Sequence, residues 1–168
     1  MVEPIEPPDS HYLLAAQGWA ELGDYAAADA ELWQIGERLR RHPEVLACRY
    51  EIYVRTKRWD AAADVAGVLV DSLANHASSW ISLAYAVRRK TGGGIPKARD
   101  ILTKAKVLFP EEALIVYNLA CYDCQLGNEA GALVWLKQAM KLGGKFDIKH
   151  MALADTDLKP LWNQIGKL

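Results

Sequence analysis

The 168-residue chain has few cysteines, only two phenylalanines and no long apolar run. No apolar stretch approaches the roughly 18 residues that a membrane-spanning helix needs, so the sequence predicts no membrane span. Residues 1–9 carry three acids and three prolines, without the basic start and apolar stretch of a signal peptide. With three cysteines and no such signal, we expect a cytoplasmic protein whose thiols are reduced.

Sequence motifs of catalysis are also missing. There is no G-x-S-x-G motif, and the glycine run at 92–94 lacks both the preceding strand and the Lys-Thr pair of a phosphate-binding loop. Cys121 and Cys124 form a C-x-x-C pair inside a predicted helix, whereas redox pairs normally follow a strand. The four histidines form no spaced ligand set. We therefore predict no enzyme activity, no cofactor and no metal; a thiol or metal protein acting through Cys121 and Cys124 is the weaker alternative.

Basic residues are absent from the first part of the chain. Residues 1–37 contain eight acids and no lysine or arginine, residues 38–110 have a balance of +8, and residues 111–168 have a balance of −1. The net charge of −1 and the pI near 6.4 argue against a dedicated nucleic-acid binder. An acidic front and a basic middle can attract each other, within one molecule or between two, so a homo-oligomer is an open alternative.

Alanine, by contrast, recurs at a regular interval. One set of small residues is separated by 34, 36 and 34 positions: Ala28, Ala62, Ala98 and Ala132. A set of bulky residues repeats in the other half of each unit: Tyr12, Leu46, Trp80 and Val116. Large residues facing small ones are typical of helices that pack closely. The two extra residues of the 36-residue interval lie between Ala84 and Ala98, and we assign them to the stretch 91–95, which has the strongest helix-breaking signal in the chain.

Within each half-unit, apolar residues follow steps of three and four, which predicts helices. The predicted helices are 10–22, 25–41, 44–56, 59–74, 77–91, 96–108, 111–126 and 129–142. No proline lies inside any of them, and Pro43 and Pro96 fall at helix starts, where a missing N–H costs least.

A 34-residue period made of two helical halves resembles the tetratricopeptide repeat. The third unit carries the resemblance well: Trp80, Leu83, Ala84, Val87, Ala98, Leu102, Ala105 and Pro110. The resemblance implies an all-α, right-handed superhelix of antiparallel helix pairs. We divide the chain into a flexible acidic arm, a four-repeat array and a C-terminal capping segment, with these bounds: 1–9, then 10–142 (repeats near 10–42, 43–75, 76–110 and 111–143), then 144–168.

In tetratricopeptide arrays the first helix of each unit lines a concave face that holds a peptide. Helical phase puts these candidate peptide-binding residues there: Glu51, Arg55, Ser82, Tyr85, Arg88, Arg89, Tyr117 and Asn118. The same phase also places nine further residues on this face: Leu13, Gln17, Glu21, Ala47, Cys48, Ser78, Ile81, Cys121 and Gln125. Arginine beside tyrosine is typical of binding hot spots, and arginine holds carboxylates by two hydrogen bonds. We therefore predict a non-catalytic module that binds a protein or peptide, with an acidic partner segment.

Two alternatives use the same groove: a self-associating scaffold and a secretion-type chaperone. A comparison with one tetratricopeptide subfamily finds no match. Tetratricopeptide domains that hold chaperone tails use a Lys and Asn clamp, but Leu13, Gln17, Cys48, Ser78 and Ser82 stand at the matching positions. We predict no binding of such tails.

Two residues depart from the repeat pattern. Arg49 stands where an apolar residue is usual, so the second unit must be shifted, open or paired with an acid. Asp123 replaces an aromatic residue and is expected to face water or a base such as Arg88 or Arg89. In the capping segment, we expect four apolar side chains to cover the eighth helix: Leu158, Leu161, Trp162 and Ile165.

Overall fold

A computed structural model describes residues 4–168, and every regular element within that range is helical. The α-helices are α1 Asp9–Glu21, α2 Tyr25–Gln34, α3 Pro43–Arg55, α4 Trp59–Ser72, α5 Ala77–Val87, α6 Ile95–Leu108, α7 Ala113–Gln125, α8 Glu129–Gly143, α9 Lys145–Ala154 and α10 Trp162–Ile165. Short 3₁₀ helices span Glu37–Leu39 and Thr156–Leu161. The eight predicted helices therefore all exist, and the prediction of an all-α chain is confirmed.

The chain forms two compact units, divided after Ala86. In the first unit, α1 packs on α2, α3 packs on α4, and α3 also contacts both α1 and α2. In the second unit, α7 packs on α6 and α8, and α9 packs on α8. Residues 1–3 of the predicted flexible arm lie outside the described residues, and the arm's flexibility stays a prediction. Asp9, placed in that arm, is the first residue of α1.

The repeated small residues form the centres of the helix contacts. Ala28, Ala62, Ala98 and Ala132 are all completely buried. The residues four positions later, Leu32, Ala66, Leu102 and Leu136, are completely buried as well. The repeat period therefore identifies the core, because a buried alanine lets the neighbouring helix approach closely.

Matching turns join the helices of these pairs. Gly23 and Gly127 have φ of 83° and 80°, which glycine adopts without steric cost. In each case the next residue caps the following helix: Asp24 Oδ1 accepts the N–H of Ala27 at 3.0 Å, and Asn128 Oδ1 accepts that of Gly131 at 3.1 Å.

Two helices end earlier than predicted. α2 stops at Gln34 because Ile35 is extended, and the N–H of Gly36 then donates to Asp9 Oδ1 at 2.7 Å. α5 stops at Val87, whose carbonyl oxygen accepts the N–H of Gly94 at 3.0 Å. In both places the backbone N–H of a glycine beyond the end of the helix donates a hydrogen bond. The periodicity alone predicted further helical turns there.

Of the three alternatives expected for Arg49, pairing with an acid does not occur among the described residues. Arg49 is buried, but no described acid pairs with it; its Nη2 donates to the Leu32 carbonyl oxygen at 3.4 Å. Its guanidinium lies 5.0 Å from the ring centroid of Trp33, an arrangement that favours a cation over an aromatic face. A carbonyl and an aromatic ring therefore replace the expected carboxylate.

Asp123 also has a different partner from those expected. It is buried, and Arg99 donates to it through Nε and Nη2. Arg88 instead donates to Asp157. Arg99 fits because α6, which carries it, packs directly on α7, which carries Asp123.

The last part of the capping segment, after α9, docks on a different helix from the one expected. The 3₁₀ helix Thr156–Leu161 packs mainly on α7, and α9 is the element that covers α8. Three apolar side chains of this last part are completely buried: Leu158, Leu161 and Ile165. Two carboxylates hold this part of the chain in place. Asp155 accepts a hydrogen bond from Tyr117 on α7, and Asp157 accepts hydrogen bonds from Arg88.

Candidate functional site

An open pocket of about 380 Å³ lies between α1 and α3. Its wall is formed by Gln17, Ala20, Glu21, Glu44, Ala47, Cys48 and Glu51. Five of these residues are among those that helical phase assigned to the groove: Gln17, Glu21, Ala47, Cys48 and Glu51. The structure brings them together because α1 and α3 are adjacent and present these residues on the same side.

Three carboxylates give the pocket its charge. The carboxylates of Glu21 and Glu44 have no hydrogen-bond or ion-pair partner within residues 4–168, and both residues are exposed; the Glu44 backbone N–H donates to His42 Nδ1. Glu51 Oε1 lies 3.6 Å from Arg55 Nη2, in a pair whose side chains are both exposed. A pair of this kind is strongly screened by water and contributes little to stability. The pocket therefore presents negative charge, and sequence reasoning missed Glu44, which lies at the start of α3 and outside the repeat pattern.

Cys48 forms part of the pocket wall. Its thiol is buried, and burial raises its pKa, with the charge of Glu51 as a second cause. The thiol is therefore neutral at physiological pH and acts as an apolar surface.

Two more of the candidate residues lie on α5. The ring of Tyr85 meets the ring of Trp59 edge to face, with centroids 5.9 Å apart. The backbone oxygen of Ser82 accepts the hydroxyl of Tyr50 at 2.9 Å. Both candidates therefore take part in packing within the first unit.

Arg88 holds the capping segment. Its two terminal nitrogens donate to the two carboxylate oxygens of Asp157, with Nη2 to Oδ1 at 2.9 Å. Its guanidinium also lies 5.4 Å from the ring centroid of Tyr122. The hydrogen bond to Asp157 raises the pKa of Arg88, which therefore stays charged. Arg89, the next residue, is half-buried.

Tyr117 and Asn118 lie on α7. The Tyr117 side chain is buried, and its hydroxyl donates to Asp155 Oδ2 at 2.9 Å. Burial is the main reason why its pKa is raised. Asn118 Nδ2 donates to the Leu114 carbonyl oxygen one turn earlier at 2.7 Å. Arg88 and Tyr117, both proposed as binders of an acidic partner, thus bind acidic residues of their own chain.

The C-x-x-C pair lies within α7, and both thiols are buried. Burial raises the pKa of Cys121 and of Cys124, and the nearby charge of Asp155 adds to the effect at Cys121. Cys121 Sγ lies 3.5 Å from Asp155 Oδ2. Thiols with raised pKa are poor nucleophiles, because the thiolate is the reactive form.

We expect all three cysteines to react slowly in the folded protein. Titration with a chromogenic disulfide reagent near neutral pH should be much slower in buffer than in denaturant, and the native rate should rise as the pH increases. Denatured protein provides the fully reactive reference. One thiol that reacts in buffer as fast as in denaturant would contradict the burial described above.

Within residues 4–168, no group of three or more histidine, cysteine or acidic side chains is arranged to hold a metal ion. No described helix combines the length and apolarity needed to cross a bilayer.

Comparisons with known proteins agree on the fold. No protein-family profile matches the chain, and no curated protein is significantly similar in sequence. Among solved structures, a thermophilic TPR protein of Thermus thermophilus, TTC0263, is 19% identical; the match covers 94% of this chain and 83% of that one, with a TM-score of 0.68.

Two structures of MamA are similar as well. A double mutant of MamA from RS-1 is 18% identical, with 85% of this chain and 79% of that chain covered and a TM-score of 0.71. MamA from residue 41 to its end, from Desulfovibrio magneticus RS-1, is 18% identical, with 80% and 75% covered and a TM-score of 0.70. At such identities the likeness concerns the fold, and it agrees with the in-phase repeats: the chain has the fold of the tetratricopeptide repeat proteins.

Proposed function

We propose that the chain is a non-catalytic protein-interaction module that binds a partner segment along α1 and α3. The observation that carries this proposal is the open pocket between these helices, where the carboxylates of Glu21 and Glu44 have no partner within residues 4–168. Unpaired carboxylates at the wall of an open cleft attract cations. Repeat proteins with stacked helix pairs commonly use such surfaces for binding.

The chemistry of this pocket favours a basic segment. The methyl groups of Ala20 and Ala47 offer a surface for the aliphatic part of a lysine or arginine side chain. The charged end then reaches Glu21, Glu44 or Glu51 and forms charge-assisted hydrogen bonds. A partner segment with two or three basic residues therefore matches both the apolar and the acidic parts of the wall.

The acidic partner expected from the sequence stays a separate prediction. It depends on Arg55, Arg88 and Arg89, of which Arg55 is paired with Glu51 and Arg88 with Asp157. The self-associating scaffold and the secretion-type chaperone stay predictions too, as does a cytoplasmic location.

A labelled peptide of alternating lysine and alanine tests the proposal. We expect it to bind, and we expect the triple variant Glu21→Gln, Glu44→Gln, Glu51→Gln to bind about tenfold more weakly, since each exposed pair contributes up to about 1 kcal/mol. Fluorescence anisotropy at low salt gives the affinities, and added salt should weaken the binding.

The matched control removes three exposed glutamates elsewhere, Glu6→Gln, Glu37→Gln and Glu111→Gln. It has the same net charge as the pocket variant and should bind nearly as well as the unmodified protein. Equal losses in the two triple variants would mean that only overall charge matters, and the proposal would fail. An alternating glutamate–alanine peptide that binds more tightly, and loses affinity on Arg55→Ala and Arg89→Ala, would favour the acidic partner instead.

A further inference from the structure

The outer side of α1 has an apolar ridge that the described residues leave uncovered. Leu14 is 69% exposed and Leu22 is 79% exposed. Gly18 lies midway between them, and steps of four residues keep all three on one side of the helix. The opposite side of α1 is also apolar, but Leu13 and Ala16 there are buried in the first unit.

Gly18 makes a notch in this ridge. A Cβ added at Gly18 would meet no atom within 4 Å, so the space beside its backbone is open. A missing side chain allows another backbone to approach closely, and the leucines on either side can then pack around it. The shape therefore fits a rod of helical width that crosses α1 at Gly18.

We propose that this end face, defined as Leu14, Gly18 and Leu22, docks an amphipathic α-helix of another protein, with an apolar stripe flanked by lysine or arginine. In a stack of helix pairs, an apolar end face needs a covering element or a polar surface. In the second unit, α9 covers α8. Among the described residues, no element covers the end face on α1, and the exposed polar side chains of His11 and Glu21 adjoin it.

The charge around α1 determines which kind of helix can dock on the end face. Residues 1–37 contain eight acids and no lysine or arginine. Of these acids, Glu21 and Asp24 adjoin Leu22 in sequence, and both are exposed. A docking helix with basic flanks is attracted to this region, whereas one with acidic flanks is repelled.

The same charges argue against a second copy of this chain as the occupant. A two-fold contact through α1 would bring two identical acidic regions together. The patch of two leucines is also small beside the roughly 800 Å² per partner of a standard stable interface. The acidic region around α1 therefore attracts a basic helix but repels a second copy of this chain.

A synthetic helix of about 18 residues, five turns of leucine, lysine and alanine with the leucines on one face, is a suitable probe. We expect this labelled peptide to bind and to become helical, measured by anisotropy and circular dichroism. The variant Leu14→Gln, Leu22→Gln should bind at least tenfold more weakly. Gly18→Gln, which fills the notch, should weaken binding in the same way.

Matched controls separate this face from other sites. Val107→Gln, Val134→Gln removes two comparably exposed apolar side chains and should leave affinity unchanged, as should the pocket variant Glu44→Gln, Glu51→Gln, which leaves Glu21 in place. Binding that survives Leu14→Gln, Leu22→Gln, or that is no weaker when glutamate replaces lysine in the peptide, overturns the proposal. A dimer detected by light scattering and abolished by Leu14→Gln, Leu22→Gln would assign the face to a second copy instead.

Discussion

Replacement of Asp123 by alanine is expected to lower the free energy of unfolding by about 3–5 kcal/mol, the cost of breaking a buried ion pair by removing one partner. Asp123 is only 2% exposed. Its carboxylate accepts from both Nε and Nη2 of Arg99, from Trp135 Nε1 at 3.0 Å and from Asn128 Nδ2 at 3.2 Å. Alanine removes the acceptor for all of these donors at once.

The size of the effect follows from the position of this carboxylate. It connects Arg99 on α6, the turn at Asn128 and Trp135 on α8, so three elements lose a shared partner. Donors left without an acceptor in the protein interior cost about 1–3 kcal/mol each, unless water reaches them. Arg99 is partly exposed and can be rehydrated, which limits the total.

Urea denaturation followed by circular dichroism measures this change. Asp100→Ala is the matched control, because Asp100 follows Arg99 on α6 in the second unit but is exposed; its effect should stay within about 0.5 kcal/mol. The double variant Asp123→Ala, Arg99→Ala should cost clearly less than the sum of the two single variants, since contacting residues are coupled. Simple additivity would refute the ion pair.

Sequence periodicity predicted the buried faces of this chain but not its polar partners. The recurring alanines identified Ala28, Ala62, Ala98 and Ala132 as core because burial depends on helical phase, which each helix encodes locally. The pairing of Arg88 with Asp157 joins residues 69 positions apart and depends on how the capping segment docks. No local pattern specifies which of several charged residues will meet.

The candidate pocket shows the same limit. Gln17, Glu21, Ala47, Cys48 and Glu51 could be placed on one face from the repeat phase, since α1 and α3 are equivalent helices of successive units. The charge of the pocket could not be inferred, because it also depends on Glu44 and on the pairing of Arg55 with Glu51. A sequence signal did exist: the absence of any base before residue 38 makes an acidic surface around α1 the natural outcome.

Leu161→Ala is expected to lower the free energy of unfolding by about 2–5 kcal/mol, the range for deleting a buried leucine side chain. Leu161 is completely buried at the end of the 3₁₀ helix Thr156–Leu161, together with Leu158 and Ile165. The 3₁₀ helix holds its place on α7 by this apolar contact and by the bonds from Arg88 and Tyr117 to Asp157 and Asp155. Leu153→Ala is the control, because that side chain is 38% exposed and its loss should cost under about 1 kcal/mol.

The Leu161→Ala variant should also change the reactivity of a thiol on α7. Cys121 lies against Asp155 of the capping segment, so weakening the cap exposes its thiol before the rest of the unit unfolds. Leu161→Ala should therefore speed the labelling of Cys121 more than that of Cys48, which lies in the first unit. If both thiols accelerate equally, the cap does not open separately, and the whole protein unfolds as one cooperative structure. If neither accelerates and stability is unchanged, Leu161 does not hold the capping segment on α7.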